Sequence, residues 1–386
     1  MVFMANKIIK LIFLSIFNIS LLTSIVCAEK QSEKPDNTQK IRIGVSIPLS
    51  GEGAIYGYDI RDSILFANET LANNSYELVF EDDQCSAKEG VTVANKFVRE
   101  KIPIVIGFAC SSPILSSKTI YENNNTLLMI FYASSPRISS IKNKFRTYLS
   151  DDNSANVLAD YVNKQGHSSI GILSGESDYA QDLKDAFIKR LDKNKTSIVE
   201  INYLPDTHDF KPNLLKLKNK KVDAIFLNSH LHTSFQIQLN QLSLIKFTTT
   251  IYGAYWPAFP SIIESSSNLM EGVVFIDSPS LDNVLNNEGK SLYSSFKNSG
   301  YQIRTSELIF LSTFEGFRAL HLALESGVNP AEFLKNEKFS GIFGNWEFDS
   351  QGEIQGLSPA LKIIRSGNIK IIEQDEDSKH TLISAK

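Results

Sequence analysis

Two serine-bearing loops carry the residues best suited to binding chemistry in this sequence. They are Gly107–Pro113 (GFACSSP) and Phe131–Pro136 (FYASSP), and each follows a run of aliphatic residues. The first loop places Ser111 and Ser112 at a predicted helix start, where hydroxyls, unpaired N–H groups and the helix dipole all attract an anion. The plainer alternative is that Ser112 merely caps this helix, with Pro113 as its first residue. Because both loops follow strands of one sheet, we expect their serines to converge on one small anionic group.

A third loop, Gly51–Gly57, lies between a predicted strand and a predicted helix. This order imitates a dinucleotide-binding turn, with Glu81 as the acid at the end of the next strand. The spacing, however, is GxGxxxG rather than GxGxxG. We therefore predict no nucleotide cofactor at this loop.

Two histidines, His230 and His232, would point to the same side of an extended segment, as metal ligands do. The sequence offers no third ligand at a suitable spacing, so we predict no metal site. It also contains neither a GxSxG elbow nor an HExxH motif. Ser229 beside His230 is the only local pair of a nucleophile and a base, and no recognised catalytic motif surrounds it. We therefore predict a protein that is not an enzyme and needs no cofactor.

Predicted strands and helices alternate from Ile41 onward, which is typical of a parallel sheet covered by helices. In the first unit, strands are predicted at 41–47, 76–80, 102–108 and 127–131, with helices at 58–71 and 91–98. The order restarts with a strand at 170–173 and a helix at 179–191, and it continues to a strand at 273–276. A long helix at 308–324 and two hairpins at 345–355 and 361–372 follow. The pattern thus predicts two α/β units of similar size.

The composition fits a folded chain of two domains. The protein has 386 residues, of which 39 are basic and 43 acidic, and a formal net charge of −4. This balance argues against a nucleic-acid-binding protein, which would normally show a basic face. Hydrophobic residues make up 42% of the chain, enough for two cores.

The two ends of the chain are predicted to lie outside the fold. Residues 1–28 have the basic start, apolar stretch and small final residues of an export signal peptide, which indicates a periplasmic protein. The alternatives are a single membrane anchor, or a lipid on Cys27, although Val26 departs from the small residue that a lipobox prefers there. Residues 29–40 are predicted to be a flexible leader and residues 374–386 a disordered tail.

Four parts of the first unit carry distinctive residues, namely Ile43–Gly51 with Tyr56-Gly57, Asp82–Lys88, Val93–Lys96 and Val105–Ser112. These segments resemble the branched-chain amino acid (Leu/Ile/Val)-binding proteins, which are type I periplasmic solute-binding proteins of ABC transporters. The similarity is dense from Ile41 to Pro136 and thins through the second unit. It resumes at Ser312–Leu324 and at Gly344–Gly356.

This resemblance implies an α/β fold of the type I periplasmic binding protein class, with two doubly wound parallel-sheet lobes joined by three crossovers. The first lobe would comprise residues 41–148 plus 278–357, and the second 149–277 plus 358–373. It also implies a disulfide between Cys85 and Cys110 in the first lobe. Removal of the signal peptide would take away Cys27, one of three cysteines, and leave Cys85 and Cys110 as an even pair. Export to an oxidising compartment favours that pairing.

The function that the resemblance implies is capture of a small molecule in the cleft between the lobes, and delivery to the membrane permease of an ABC importer. The ligand would be a branched-chain or hydrophobic amino acid, or a related small carboxylate or amide. The protein would be a monomer that binds no nucleic acid. The alternative is a ligand-binding sensor subunit that feeds a signalling receptor.

The family's binding positions carry over to eight residues of this chain. Ser111 and Ser134 would hold a ligand carboxylate, and the Tyr132 carbonyl would accept a hydrogen bond from a ligand amine. Three residues would occupy the family's aromatic positions, namely Tyr56, Tyr179 and His230. Tyr255 or Trp256 stands where the family has a glutamate. An ammonium group would then lack its usual counter-charge.

The missing glutamate leaves three alternatives open. Asp151, Asp178 or Glu176 supplies the negative charge from elsewhere in the cleft. Tyr255 or Trp256 holds the ammonium by a cation–π contact. Or the ligand has no amine.

Overall fold

The computed structural model describes residues 40–372. The predicted signal peptide, all of the leader except Lys40, and the predicted tail lie outside the described residues. Within the described range, no helix is both long enough and apolar enough to span a membrane.

Strands and helices alternate through most of the described chain. The strands are β1 (Ile41–Ile47), β2 (Tyr76–Asp82), β3 (Ile104–Gly107), β4 (Leu127–Ile130), β5 (Lys144–Arg146), β6 (Ser169–Gly175), β7 (Ser197–Tyr203), β8 (Ala224–Asn228), β9 (Thr250–Ala254), β10 (Val274–Asp277), β11 (Lys338–Gly341), β12 (Gly344–Phe348), β13 (Ile354–Gln355), β14 (Ala360–Arg365) and β15 (Asn368–Ile371). The helices are α1 (Ala54–Ala72), α2 (Ala87–Arg99), α3 (Ser111–Asn123), α4 (Asp151–Gln165), α5 (Asp178–Arg190), α6 (Lys211–Asn219), α7 (His232–Leu244), α8 (Pro260–Ser266), α9 (Leu281–Val284), α10 (Asn287–Asn298), α11 (Leu308–Glu325) and α12 (Pro330–Asn336).

The first sheet consists of five parallel strands in the order β2-β1-β3-β4-β5. All residues of β3 and β4 are buried, which explains their unbroken aliphatic sequences IVIG and LLMI. A strand of alternating polarity would leave one face in water, whereas these strands are covered on both faces. Helix α11, from the C-terminal third of the chain, packs against α1.

The glycine-rich loop after β1 is explained by packing. A Cβ atom at Gly57 would lie 1.7 Å from the carbonyl oxygen of Pro48, so only glycine allows α1 to approach the end of β1 this closely. Gly51 has a φ of 74°, in the left-handed region. The predicted acid of the imitated dinucleotide site, Glu81, forms an ion pair with Lys96.

The second sheet has seven strands in the order β15-β14-β10-β9-β8-β6-β7. Strands β6 to β10 run parallel, while β14 and β15 are antiparallel additions at one edge. Strands β11, β12 and β13 form a small antiparallel sheet, which contains the predicted hairpin around residues 349–352. We call the first sheet with α1 to α3, α11 and the small sheet the first lobe, and the second sheet with α4 to α7 the second lobe.

The chain passes between the two lobes three times, after β5, after β10 and before β14. This arrangement confirms the predicted α/β class with two parallel-sheet lobes. Each lobe contains a point where the strand order reverses, between β1 and β3 and between β6 and β8. Ligands of doubly wound sheets bind beyond the carboxyl ends of the strands at such points.

Candidate functional site

A cavity of about 370 Å³ lies at the carboxyl ends of the strands and draws its walls from both lobes. All eight binding residues predicted from the sequence line it, namely Tyr56, Ser111, Tyr132, Ser134, Tyr179, His230, Tyr255 and Trp256. Further lining residues that the sequence reasoning did not single out include Glu52, Tyr148, Asp206 and His208. The volume suits a small organic molecule.

The start of α3 supplies hydrogen-bond donors to this cavity. Helix α3 begins at Ser111, its N-cap residue is Cys110, and no side chain caps it. The expectation that Ser112 caps the helix, with Pro113 as the first helical residue, is therefore wrong. The Ser111 oxygen accepts a hydrogen bond from the backbone N–H of Ser135 (3.2 Å), so its own proton is free for a ligand. The uncapped end favours a negative charge.

A disulfide between Cys85 and Cys110 borders the same cavity, with a Cα–Cα distance of 5.3 Å. This confirms the predicted pairing. The disulfide also abuts the glycine loop, because a Cβ atom at Gly53 would lie 2.6 Å from the Cys85 sulfur. It therefore ties the start of α3 to the loop after β2 and packs against the loop that leads into Tyr56.

Aromatic rings cover much of the cavity wall. Tyr56 of the first lobe stacks on Tyr132 at a centroid distance of 6.0 Å and lies 6.2 Å from the ring of Trp256 in the second lobe. Tyr148, which the sequence reasoning missed, lies 4.6 Å from the Tyr132 ring. A ligand between these rings would be largely shielded from water.

Tyr56 also joins the lobes through a hydrogen bond. Its hydroxyl lies 2.8 Å from Nδ1 of His232, and the His232 ring stacks on Phe259. Burial lowers the pKa of His232 and of His230, against the attraction of the Glu52 carboxylate. The neutral form of His232 therefore persists near pH 7, and this histidine holds Tyr56 across the cleft.

Asp151, the first residue of α4, is fully buried just behind the cavity wall. The Ser134 hydroxyl donates to its Oδ2 (2.8 Å), and the Tyr255 hydroxyl donates to its Oδ1 (2.7 Å). Burial raises the pKa of Asp151 to about 7, although both hydrogen bonds act in the opposite direction. Two predicted ligand-binding residues thus share one buried carboxylate.

Two polar atoms of the wall are buried without a hydrogen-bond partner in the described structure: the Tyr179 hydroxyl and Nδ1 of His230. The Tyr179 ring lies 5.9 Å from Trp256. Buried polar atoms are nearly always paired. Both atoms have almost no accessible surface, so a ligand in the cavity would pair with them only if the side chains turned toward it.

The other two carboxylates proposed from the sequence as counter-charges do not line the cavity. Asp178 is paired with Arg137, and Glu176 is exposed. Arg137 follows β4 in the first lobe, and it also binds Asp182 of α5 in the second lobe, with Nε–O distances of 2.9 and 3.0 Å. We call this group of Arg137, Asp178 and Asp182 the cross-cleft ion cluster. Asp182 also accepts a hydrogen bond from Ser135.

A family model described as periplasmic binding protein matches residues 40–298 of this sequence.

The chain belongs to the periplasmic binding protein family.

The relatives agree with this membership, and a solved structure shares the fold. The sequence is 24% identical to the Leu/Ile/Val-binding protein of Escherichia coli K12 over 332 residues, which are 83% of this chain and 89% of the relative. It is 27% identical to a Leu/Ile/Val-binding protein homolog of Brucella melitensis over 225 residues, 55% of this chain and 61% of that protein. A Rhodopseudomonas palustris solute-binding protein of an ABC transporter, solved with 3,4-dihydroxybenzoic acid, superposes with a TM-score of 0.73 at 18% identity, covering 87% of this chain and 94% of the other.

Membership in the periplasmic binding protein family confirms the resemblance found in the sequence. The family consists of substrate-binding proteins, and the cavity of this chain draws its walls from both lobes. In the part of the chain that the structure describes, no group of three histidine, cysteine or acidic side chains could hold a metal ion. His232 instead forms a hydrogen bond with the Tyr56 hydroxyl, as described above.

Proposed function

We propose that this protein is the extracytoplasmic solute-binding protein of an ABC importer. It captures a hydrophobic amino acid, or a related small carboxylate or amide, in the cavity between its lobes. The observation that carries the proposal is the cavity itself, where aromatic rings and an uncapped helix start surround a space of ligand size. It performs no reaction on the ligand.

The shape of the cavity supports binding by closure of the lobes. Tyr56, Trp256 and the cross-cleft ion cluster bring the lobes into direct contact. A ligand that contacts both lobes stabilises this closed arrangement over an open one. A membrane permease that recognises the closed arrangement would then receive loaded protein.

We further propose a periplasmic monomer with the residue limits given by the resemblance. The first lobe comprises residues 41–148 plus 278–357, and the second residues 149–277 plus 358–373. Residues 1–28 direct export, and Cys27 carries no lipid. The eight predicted residues of the cavity wall form the ligand site.

The proposal is tested by isothermal titration of the purified protein against amino acids, small carboxylates and their amides. We expect at least one member to bind with a stoichiometry of one. Ser111→Ala should weaken binding of a carboxylate ligand by about 1.5–3 kcal/mol, the usual contribution of a hydrogen bond to a charged group.

The matched control is Ser116→Ala, on the same helix, whose hydroxyl donates to backbone carbonyls and does not line the cavity. This variant should bind like the unmodified protein. Failure of every ligand to bind folded protein would contradict the proposed function. An equal effect of both substitutions would contradict the role of Ser111.

A further inference from the structure

Asp151 has an unusual position for an acid. It is fully buried, and within residues 40–372 no lysine, arginine or histidine forms an ion pair with it. Its carboxylate is held by two hydroxyls, of Ser134 and Tyr255, and both of these residues line the cavity. The protonation state of the Asp151 carboxyl group therefore affects how these two hydroxyls are oriented in the cavity wall.

The number of hydroxyl protons decides what the wall can offer a ligand. A serine or tyrosine hydroxyl has one proton to donate. While Asp151 is ionised, Ser134 and Tyr255 both spend that proton on it, and only their oxygen lone pairs face the cavity. A ligand carboxylate, which can only accept, would then meet acceptors.

Protonation of Asp151 reverses the polarity at Ser134. The carboxylic acid donates to the Ser134 oxygen, and the Ser134 hydroxyl turns its proton toward the cavity. The proton comes from a hydronium ion or a buffer acid in solvent, where one bond to hydrogen breaks as one O–H bond forms on Asp151, and otherwise only hydrogen bonds change.

We propose that binding of a carboxylate ligand at Ser134 draws a proton onto Asp151, so that this buried acid sets the charge type that the cleft accepts. The inference rests on the proposed function, since it concerns the same cavity. Asp151 acts through Ser134 and is therefore a positioning residue rather than a contact residue.

The surroundings of Asp151 allow both protonation states near neutral pH. Burial raises its pKa to about 7, and the hydrogen bonds from Tyr255 and Ser134 oppose this rise. Two charged groups act from a distance, Arg146 of β5, which lowers the pKa, and Asp182 of α5, which raises it. Arg146 is itself bonded to Glu353 (2.6 Å). The remaining titratable neighbours, Tyr148 and Tyr179, stay neutral because burial raises their pKa further.

The backbone at Tyr255 supports a functional role for this arrangement. Tyr255 has a φ of 44°, which is rare for a residue with a side chain. Its N–H donates to the carbonyl of Ile276 (2.8 Å), which holds the strained conformation in place. Such strain collects at functional sites. Here it aims the Tyr255 hydroxyl at Asp151.

The linkage between carboxylate binding and protonation of Asp151 predicts the direction in which affinity changes with pH. If only the protonated form of Asp151 accepts the carboxylate, affinity is full below the pKa of free Asp151 and is lost as pH rises through it. With that pKa at about 7, the dissociation constant should rise about tenfold between pH 6 and pH 8.

The experiment titrates 3,4-dihydroxybenzoate and L-leucine into the full-length mature protein at pH 6, 7 and 8. Each titration is repeated in buffers of different ionisation enthalpy, which reports the protons taken up. For 3,4-dihydroxybenzoate we expect uptake of about one proton at pH 8, falling at pH 6. In parallel, ¹³C NMR of labelled aspartate carboxyls follows Asp151 in the ligand-free protein, with Asp151→Asn for assignment.

Two variants separate the linkage from a structural effect. In Asp151→Asn the amide donates to Ser134 at every pH, so affinity for 3,4-dihydroxybenzoate should lose its pH dependence and stay near the unmodified protein's value at pH 6. Tyr255→Phe removes one bond to the ionised carboxylate, so the pH dependence should move to higher pH.

The outcomes keep the two proposals apart. Binding of 3,4-dihydroxybenzoate without proton uptake, or with the same pH dependence in Asp151→Asn, would overturn the linkage and leave the proposed function standing. An Asp151 carboxyl that stays ionised down to pH 5 would overturn it as well, whether or not a ligand binds. Absence of binding by both probes would count against the proposed function, and the NMR titration would still decide the state of Asp151.

Discussion

The cross-cleft ion cluster should stabilise the closed form of the protein, and replacing Arg137 with methionine tests this. Arg137 lies in the first lobe, and both of its carboxylate partners, Asp178 and Asp182, lie on α5 of the second. Opening of the cleft would separate these groups, so their attraction exists only in the closed form. Methionine keeps most of the apolar stem and removes only the charge and the hydrogen bonds.

The magnitude follows from the exposure of the partners. The Arg137 side chain is 53% exposed, Asp178 34% and Asp182 16%, so water screens the interaction and about 1 kcal/mol is a reasonable value. No buried charge is stranded, because Asp182 keeps its bond from Ser135. A loss of about 1 kcal/mol in the closed form raises the dissociation constant about fivefold.

The assay is isothermal titration with the ligand that mass spectrometry identifies in the purified protein, at low and high ionic strength. The unmodified protein should lose affinity with added salt more steeply than Arg137→Met, since salt screens exposed charges. The matched control is Arg42→Met. Arg42 also binds two carboxylates, Glu77 and Glu100, but all three lie within the first lobe. Equal affinities and equal salt dependence in all three proteins would refute a role in closure.

Two further predictions concern stability. Replacing Cys85 and Cys110 with serine should lower the free energy of unfolding, measured by urea denaturation, by about 2–4 kcal/mol. It should also weaken ligand binding, because both residues border the cavity. Unchanged binding would show that the disulfide does not position α3. Glu353→Gln should lower the free energy of unfolding by about 3–5 kcal/mol in the same assay, because it leaves the buried cations of Lys144 and Arg146 without their paired carboxylate. The control is Glu347→Gln, at an exposed ion pair, which should change the free energy of unfolding by less than about 0.5 kcal/mol.

The sequence predicted the fold class and the members of the cavity wall because both depend on local patterns. Fully buried strands such as β3 and β4 produce unbroken aliphatic runs, and loops after such strands must gather at one end of a parallel sheet. Ser111 and Ser134 could therefore be placed in one cavity. The disulfide came from the resemblance and from the even number of cysteines left after a signal peptide.

The roles of individual groups depended on distances that sequence spacing does not give. Asp151 was named as one possible counter-charge, but its helix, α4, was not recognised, and its bonds to Ser134 and Tyr255 join residues 17 and 104 positions away. His232 was considered as a metal ligand, whereas its partner is Tyr56, 176 positions earlier. The start of α3 was placed too late, since Pro113 is tolerated within the first turn and does not have to be its first residue.

The two antiparallel strands at the edge of the second sheet have a consequence for how the protein is made. Strands β14 and β15 come from residues 360–371, whereas the strand that they join, β10, ends at Asp277. Likewise α11, which covers α1, is synthesised some 240 residues after it. Neither lobe is therefore complete until nearly the whole chain has been synthesised, and folding must close long loops in both lobes late. We expect such a chain to fold slowly, and a chain that ends before residue 360 should expose the unpaired edge of β10 and aggregate.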